Sequence, residues 1–220
     1  MALVRDRPAW VEQLCARVDG EVAHLGCADS PFTRELLANG RLLHTRLVRV
    51  ASVTGFDVDP AALEQLAEAL PDARLVHADV TQEVPGAEQG RYDLVIAGEV
   101  LEHVPDADSF LRGCGTLLAP GGRLCVTVPN ACCPKIGLRA LAARESVHPD
   151  HYAYYSPRTL TRTLLGAGYG GVEVLTCFPT SAGRMGRMAI NPLLSGAHRL
   201  FQGPVGDGLI AVASRASMGG

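Results

Sequence analysis

The chain holds a single lysine, Lys135, in 220 residues, and its 20 Lys and Arg against 23 Asp and Glu leave a net charge of -3. The pI is near 6.2. Composition therefore forces no basic face, which weighs against tight binding to a nucleic-acid backbone. No run of like charge reads as an interaction tail. No stretch approaches the roughly 18 uninterrupted apolar residues that a membrane helix needs. The opening MALVRDRPAWVEQLCARVDG is charged throughout and lacks the apolar core of a secretory leader. The expected location is the cytoplasm, with no membrane partner. No Cys-x-x-Cys occurs among the seven cysteines, whose odd number and irregular spacing argue against a zinc knuckle or a disulfide framework. They read as small buried hydrophobes, with Cys132 and Cys133 also candidates for a pocket wall. The turn His24 to Ser30, HLGCADS, is not G-x-G-x-x-G, which argues against a nicotinamide-dependent dehydrogenase. Internal repeats and low-complexity linkers are also missing.

What is present is an ordinary globular balance, 47% hydrophobic and 20% charged, enough to bury a full core in one domain over residues 1–220. Short apolar strands alternate with helical stretches. A helix is expected around Trp10 to Val18, inside an N-terminal segment of residues 1–20. Strands are expected at Glu21 to Leu25, Ser52 to Val58, Ala73 to Val80, Tyr92 to Gly98 and Gly121 to Pro129. Between them lie helices at Thr33 to Val50, bent near Gly40, at Pro60 to Leu70, and at Ala107 to Leu118. Pro60 sits where a first helical turn tolerates a missing N–H. Helices at Ile136 to Arg144 and Pro157 to Ala167 follow, then strands at Val172 to Phe178 and Leu209 to Ser214. Such alternation implies crossover units and a parallel sheet with both faces covered. Residues 131–156 and 179–208 are long for connections and are expected to form a lid over an acceptor pocket. The second, with Met185, Met188, Pro192 and Phe201, is also a candidate homodimer contact.

Ligands of open α/β sheets bind beyond the carboxyl ends of the strands, where strand order reverses. The first of these strands runs into His24-Leu25-Gly26-Cys27-Ala28-Asp29-Ser30, a turn of small residues that lets backbone approach a ligand. The next ends in Asp57, an acid placed to accept from both hydroxyls of a ribose. The third ends in Asp79, placed to accept from an adenine amino group, with Val58 and Val80 packing on the ring. Each acid alone also reads as a turn or helix cap. A small-residue turn followed by two acids, each at a strand end, is the more specific pattern.

HLGCADSPF, TGFDVDPAALEQL, ARLVHADV, YDLVIAGEVLEHVPD and LLAPGGRLCVTVP resemble successive motifs of class I S-adenosylmethionine-dependent methyltransferases. The resemblance implies a Rossmann-like three-layer sandwich whose seven-stranded, mostly parallel sheet has an antiparallel closing strand. It also implies S-adenosylmethionine as cofactor. Gly26, Ala28 and Asp29 would hold its methionine part, Asp57 the ribose and Asp79 the adenine amino group, with Gly98 and Glu99 beside the sulfonium. The chain departs from the family at His24, where an acid is common, and at Ala28 and Ser30, which stand in place of glycines.

After the fourth of these strands comes Glu99-Val100-Leu101-Glu102-His103. If it opens a helix, Glu99, Glu102 and His103 share one face. Two carboxylates and one or two imidazoles suit Mg²⁺, Mn²⁺ or Fe²⁺ better than a thiolate-bound zinc. The pattern, with the later His148-Pro149-Asp150-His151, resembles the metal site of small-RNA 3′-terminal 2′-O-methyltransferases. E-x-x-E-H also resembles the ubiquinone-pathway O-methyltransferases. By this resemblance Glu99, Glu102, His103 and His151 would be metal ligands, with His148 the alternative fourth. In a metal-free reading Glu99 touches the cofactor, and His103, His148 or His151 is the catalytic base. Tyr152, Tyr154 and Tyr155 read as the walls of an aromatic acceptor pocket, or as core. The leading expectation is O-methylation of a small-molecule metabolite. Alternatives are RNA 2′-O-methylation, N- or C-methylation on a histidine base, and a non-catalytic cofactor-binding protein. Arg139, Arg144, Arg158, Arg162, Arg184 and Arg187 keep a short RNA end among the acceptors.

Overall fold

The computed structural model describes residues 1–141, 148–178 and 206–216. The expected second lid and dimer contact, with Met185, Met188, Pro192 and Phe201, lies almost entirely outside the described residues, as do Arg144, Arg184 and Arg187.

The strands are β1 (Leu3–Val4), β2 (Glu21–Leu25), β3 (Ser52–Asp57), β4 (Arg74–His77), β5 (Tyr92–Gly98), β6 (Leu118–Pro129), β7 (Tyr169–Cys177) and β8 (Gly208–Arg215). They form one sheet in the order β1-β7-β8-β6-β5-β2-β3-β4. β8 runs antiparallel to both its neighbours, and the remaining pairs are parallel. The sheet is therefore mixed and, among the described residues, has eight strands rather than seven. The eighth is the two-residue β1, too short to leave a periodicity, and it is held to the outer edge of β7 in register with Thr176 and Cys177.

The helices are α1 (Arg7–Cys15), α2 (Thr33–Ala38), α3 (Leu43–Leu47), α4 (Pro60–Ala69), α5 (Ala107–Leu117), α6 (Pro134–Leu141) and α7 (Pro157–Gly166). Their starts are set by local chemistry. Asp6 caps α1 by accepting the Ala9 N–H at 3.0 Å, with Pro8 in the first turn. Asp59 accepts from Ala61 and Ala62 ahead of Pro60. Ser156 and Thr159 form a reciprocal capping box on α7. The Asp6 cap starts α1 at Arg7, earlier than hydrophobic spacing suggests. The single bent helix expected over Thr33 to Val50 is two short helices, because Gly40 at φ +66° turns the chain and Leu42 is extended.

Alternate residues of the central strands point to opposite faces. Ala23, Leu25, Val95, Ala97, Leu124 and Val126 pack under Phe110, Leu111 and Leu117 of α5 and Leu160 and Leu164 of α7. Val22, Leu94, Ile96 and Cys125 pack against Val11 and Leu14 of α1 and Leu47 of α3. Three layers result, as the alternation of strands and helices implies. Full burial of each valine, leucine, isoleucine or phenylalanine among them contributes roughly 1.5–3 kcal/mol.

α5 comes close to the exit of β4. A Cβ at Gly113 would sit 1.9 Å from the Val80 carbonyl oxygen. Gly113→Ala should therefore overpack this junction by about 3 kcal/mol. A melting point lower by roughly 5–10 °C in calorimetry is the expected outcome. An unchanged melting point would contradict the packing described.

Candidate active site

Strand order reverses between β5 and β2, since the chain passes from β2 outward to β4 and then back to β5. A crevice must open beyond their carboxyl ends. A cavity of about 720 Å³ lies there, lined by Gly26, Asp29, Asp57, Val58, Gly98 and Glu99, together with His24, Arg7, His103 and Thr127. Among the expected cofactor residues, Ala28, Asp79 and Val80 do not line it.

The turn after β2 is built around Gly26, whose φ of +68° and close approach to Val100, 2.6 Å from an added Cβ, exclude a side chain. Ala28 is fully buried and acts through its backbone, donating its N–H to Asp57 Oδ2 at 2.9 Å. Asp59 donates its N–H to Asp57 Oδ1 at 3.1 Å. Both oxygens of Asp57 are thus aimed by backbone, and the residue is 7% exposed. Each oxygen keeps a lone pair for a ligand hydroxyl.

Asp29 and Glu99, at φ 55° and 56°, are the only described non-glycine residues with positive φ. Such backbone is uncommon for side chains with a Cβ and concentrates at functional sites. Here it turns two carboxylates into one cavity. Burial, followed by the charge of Glu99, raises the Asp29 pKa. Glu99 pairs with Arg7 Nη1 at 2.5 Å and accepts from Thr127 Oγ1 at 3.2 Å. Burial alone would lower the Arg7 pKa, but neighbouring anionic groups, Glu99 foremost, raise it above its ordinary value. Sequence reading missed Arg7 and Thr127. The Asp6-Arg7-Pro8 start of α1 is the one signal that could have placed Arg7 at a helix entry near strand ends.

Beside this cavity lies a cluster of histidines. Glu99 to His103 does not open a helix. Positive φ at Glu99 sends its side chain to Arg7, and Leu101–His103 is a single 3-10 turn. Glu102 is 1% exposed, and neither carboxylate oxygen has a hydrogen-bond partner among the described residues. Burial, then the charge of Glu99, pushes its pKa up to about 8. The loop at residues 148–153 is sewn to this turn: Tyr152 and Ala153 donate their N–H groups to the Glu102 carbonyl at 2.8 and 3.3 Å. The His151 ring consequently lies 4.6 Å from that of His103, edge to face, and the His148 ring 5.2 Å from His151. Burial and the two neighbouring histidines lower the His151 pKa, and its Nδ1 is buried without a partner among the described residues. One ligand atom each from Glu102, His103 and His151 lie within 4.8 Å of one another. Glu99 and His148 stand outside that set. An uncompensated buried carboxylate beside two imidazole nitrogens is the donor set that a divalent cation satisfies.

Tyr154 is half-buried with its ring 6.0 Å from His151, Tyr155 is core, and Tyr152 is 69% exposed. Cys133 is buried and donates its thiol to Asp207 at 3.2 Å, while Cys132 is exposed. Asp79 lies two residues past β4 and is exposed. Its Oδ1 accepts from the Thr81 N–H at 2.9 Å and the Thr81 hydroxyl at 2.7 Å, as a turn cap does. Val80 joins the core under α5. The shortened β4 explains both placements: the ladder to β3 ends at the Asp57–His77 pair, and Asp79 opens a turn, its carbonyl accepting from the Gln82 and Glu83 N–H groups at 3.0 and 3.3 Å.

A family model described as a methyltransferase domain matches residues 7–174, most of the chain. The chain belongs to this methyltransferase family. Similar proteins include ubiquinone biosynthesis O-methyltransferases. That of Albidiferax ferrireducens is 32% identical over 146 residues, 64% of this chain and 53% of the relative. That of Leptothrix cholodnii is 33% identical over 143 residues, 63% and 56% respectively. The chain spans about half the length of these curated relatives. A crystal structure of an S-adenosylmethionine-dependent methyltransferase from Archaeoglobus fulgidus has a TM-score of 0.55 at 15% identity, covering 94% of this chain and 93% of that one. One from Mesorhizobium loti gives 0.57 at 19% identity, covering 94% and 96%. These likenesses show the Rossmann-like α/β fold. Among the described residues no helix is long and apolar enough to cross a membrane.

Proposed function

We propose that this methyltransferase moves the methyl group of S-adenosylmethionine to an oxygen of a small-molecule acceptor, assisted by a divalent cation such as Mg²⁺ on Glu102, His103 and His151. The observation that carries the reading is the convergence of a buried, unpartnered carboxylate and two imidazoles on the border of a cavity whose Asp57 is aimed by backbone. The names of the relatives support an oxygen acceptor of small size.

In this reading Asp57 accepts from the ribose hydroxyls. Gly26 and the Ala28–Asp29 turn hold the methionine part. Val58 packs on the adenine from the rim, and Asp79 and Val80 border the adenine end through the turn after β4. Gly98 and Glu99 lie beside the sulfonium. Methyl transfer is an in-line displacement, so the chief task is to align the acceptor oxygen with the methyl carbon and exclude water. Bound cation would make an acceptor hydroxyl more acidic. His148, outside the convergent set, stands 5.2 Å ring to ring from His151 and is placed to take the released proton to solvent.

The test is methyl transfer from labelled S-adenosylmethionine to a panel of catechols and phenols, before and after exhaustive chelation. Activity lost with chelator and recovered with Mg²⁺ is the expected result. Undiminished turnover in chelator would remove the cation and leave a histidine base.

A further inference from the structure

His24 and His44 form a buried pair that the proposed reaction does not use. His24 lies in β2 directly across from Gly55 of β3, and His44 lies in α3 above them. The rings stack at 5.4 Å and 13°, with Nδ1 facing Nδ1 at 3.2 Å. The fold is cut to admit them, since a Cβ at Gly55 would come within 2.9 Å of the His44 ring. Both rings are almost fully buried. Burial lowers both pKa values, that of His44 to about 4, so both are neutral near pH 7.

Two neutral imidazoles in Nδ1-to-Nδ1 contact share one proton, and this constrains both tautomers. The His44 Nε2 is buried with no partner among the described residues. If His44 accepted at Nδ1, its own proton would sit on Nε2 as an orphaned buried N–H, the rarer kind of unsatisfied group. His44 therefore donates from Nδ1. His24 accepts at Nδ1 and carries its proton on Nε2, on a ring that lines the cavity. His24 therefore presents a neutral donor on the wall of this cavity.

The amino-acid end of the cofactor offers one acceptor, its carboxylate, and one donor, its ammonium. Asp29 and Glu99 in the same cavity suit the ammonium, and Arg7 suits the carboxylate. We propose that His24 is a cofactor-binding residue whose Nε2–H donates to the carboxylate of that amino-acid end, and that His44 is the positioning residue that fixes its tautomer. The inference rests on the adenosyl-cofactor reading above.

The test compares S-adenosylhomocysteine with 5′-methylthioadenosine, which keeps the nucleoside and sulfur but has no amino-acid end. In calorimetry, His24→Ala and His44→Phe should each weaken S-adenosylhomocysteine binding about tenfold, the loss of one hydrogen bond to a charged group. Binding of 5′-methylthioadenosine should stay within about twofold, as expected where the removed contact does not reach the nucleoside. That result also shows the cavity to be intact. Equal losses on both ligands, or no loss on either, would overturn the proposal. Long-range proton–nitrogen correlation spectra should show His24 protonated at Nε2 and His44 at Nδ1, and the reverse would overturn it as well. A wild-type protein that binds neither ligand would instead refute the cofactor reading itself.

Discussion

Asp57→Ala is expected to weaken S-adenosylhomocysteine binding by about a hundredfold, measured by titration calorimetry, since hydrogen bonds to a charged acceptor contribute about 1.5–3 kcal/mol each. The carboxylate does two things at once. It presents lone pairs to a ribose, and it holds the Ala28 and Asp59 N–H groups that shape the turns after β2 and β3. Alanine removes the acceptors and leaves both amides without their partner. Asp57→Asn keeps one acceptor oxygen, so about a tenfold loss is expected, corresponding to one such bond. Unchanged affinity in the alanine variant would mean that the ribose is held elsewhere.

Glu102→Gln should lower turnover by about two to three orders of magnitude, the scale of losing electrostatic stabilisation at a reacting oxygen. It should also abolish a Mn²⁺ site followed by electron paramagnetic resonance. Affinity for S-adenosylhomocysteine should change by less than about threefold, because Glu102 does not line the cofactor cavity. A third consequence separates this reading from a structural role. Both oxygens of Glu102 are buried without partners among the described residues, so in metal-free protein the buried carboxyl group is a burden of about 1–3 kcal/mol. Glu102→Leu should then raise the melting point of the chelated protein by a few degrees while eliminating activity. A leucine variant that melts lower, with Mn²⁺ binding intact in the glutamine variant, would assign Glu102 to the core.

The layered sheet was legible because strands such as β5, with its run Leu94-Val95-Ile96-Ala97, are apolar through their centres, as both-face burial requires. Asp57 was legible as a residue of the strand-end cavity because it follows a small-residue turn in the pattern of acids at successive strand ends. Asp79 reads the same way in sequence, yet β4 stops at His77, and the acid caps a turn. The difference is the turn closed on the Asp79 carbonyl by the Gln82 and Glu83 N–H groups, invisible to periodicity. Glu99 was recognisable as a site residue, whereas its left-handed backbone, which separates it from Glu102 and sends it to Arg7, has no sequence signature outside glycine and asparagine. Arg7 and Glu99 lie far apart in the chain and meet only because α1 begins, at Arg7, beside the carboxyl end of β5. His24 and His44 belong to the same class: helical spacing places neither ring over Gly55.

The most direct measurement is a crystal structure of the protein with S-adenosylhomocysteine and Mn²⁺. The account predicts both ribose hydroxyls within hydrogen-bond distance of Asp57, and anomalous scattering between Glu102, His103 and His151. A nucleoside that makes no contact with Asp57 would contradict it.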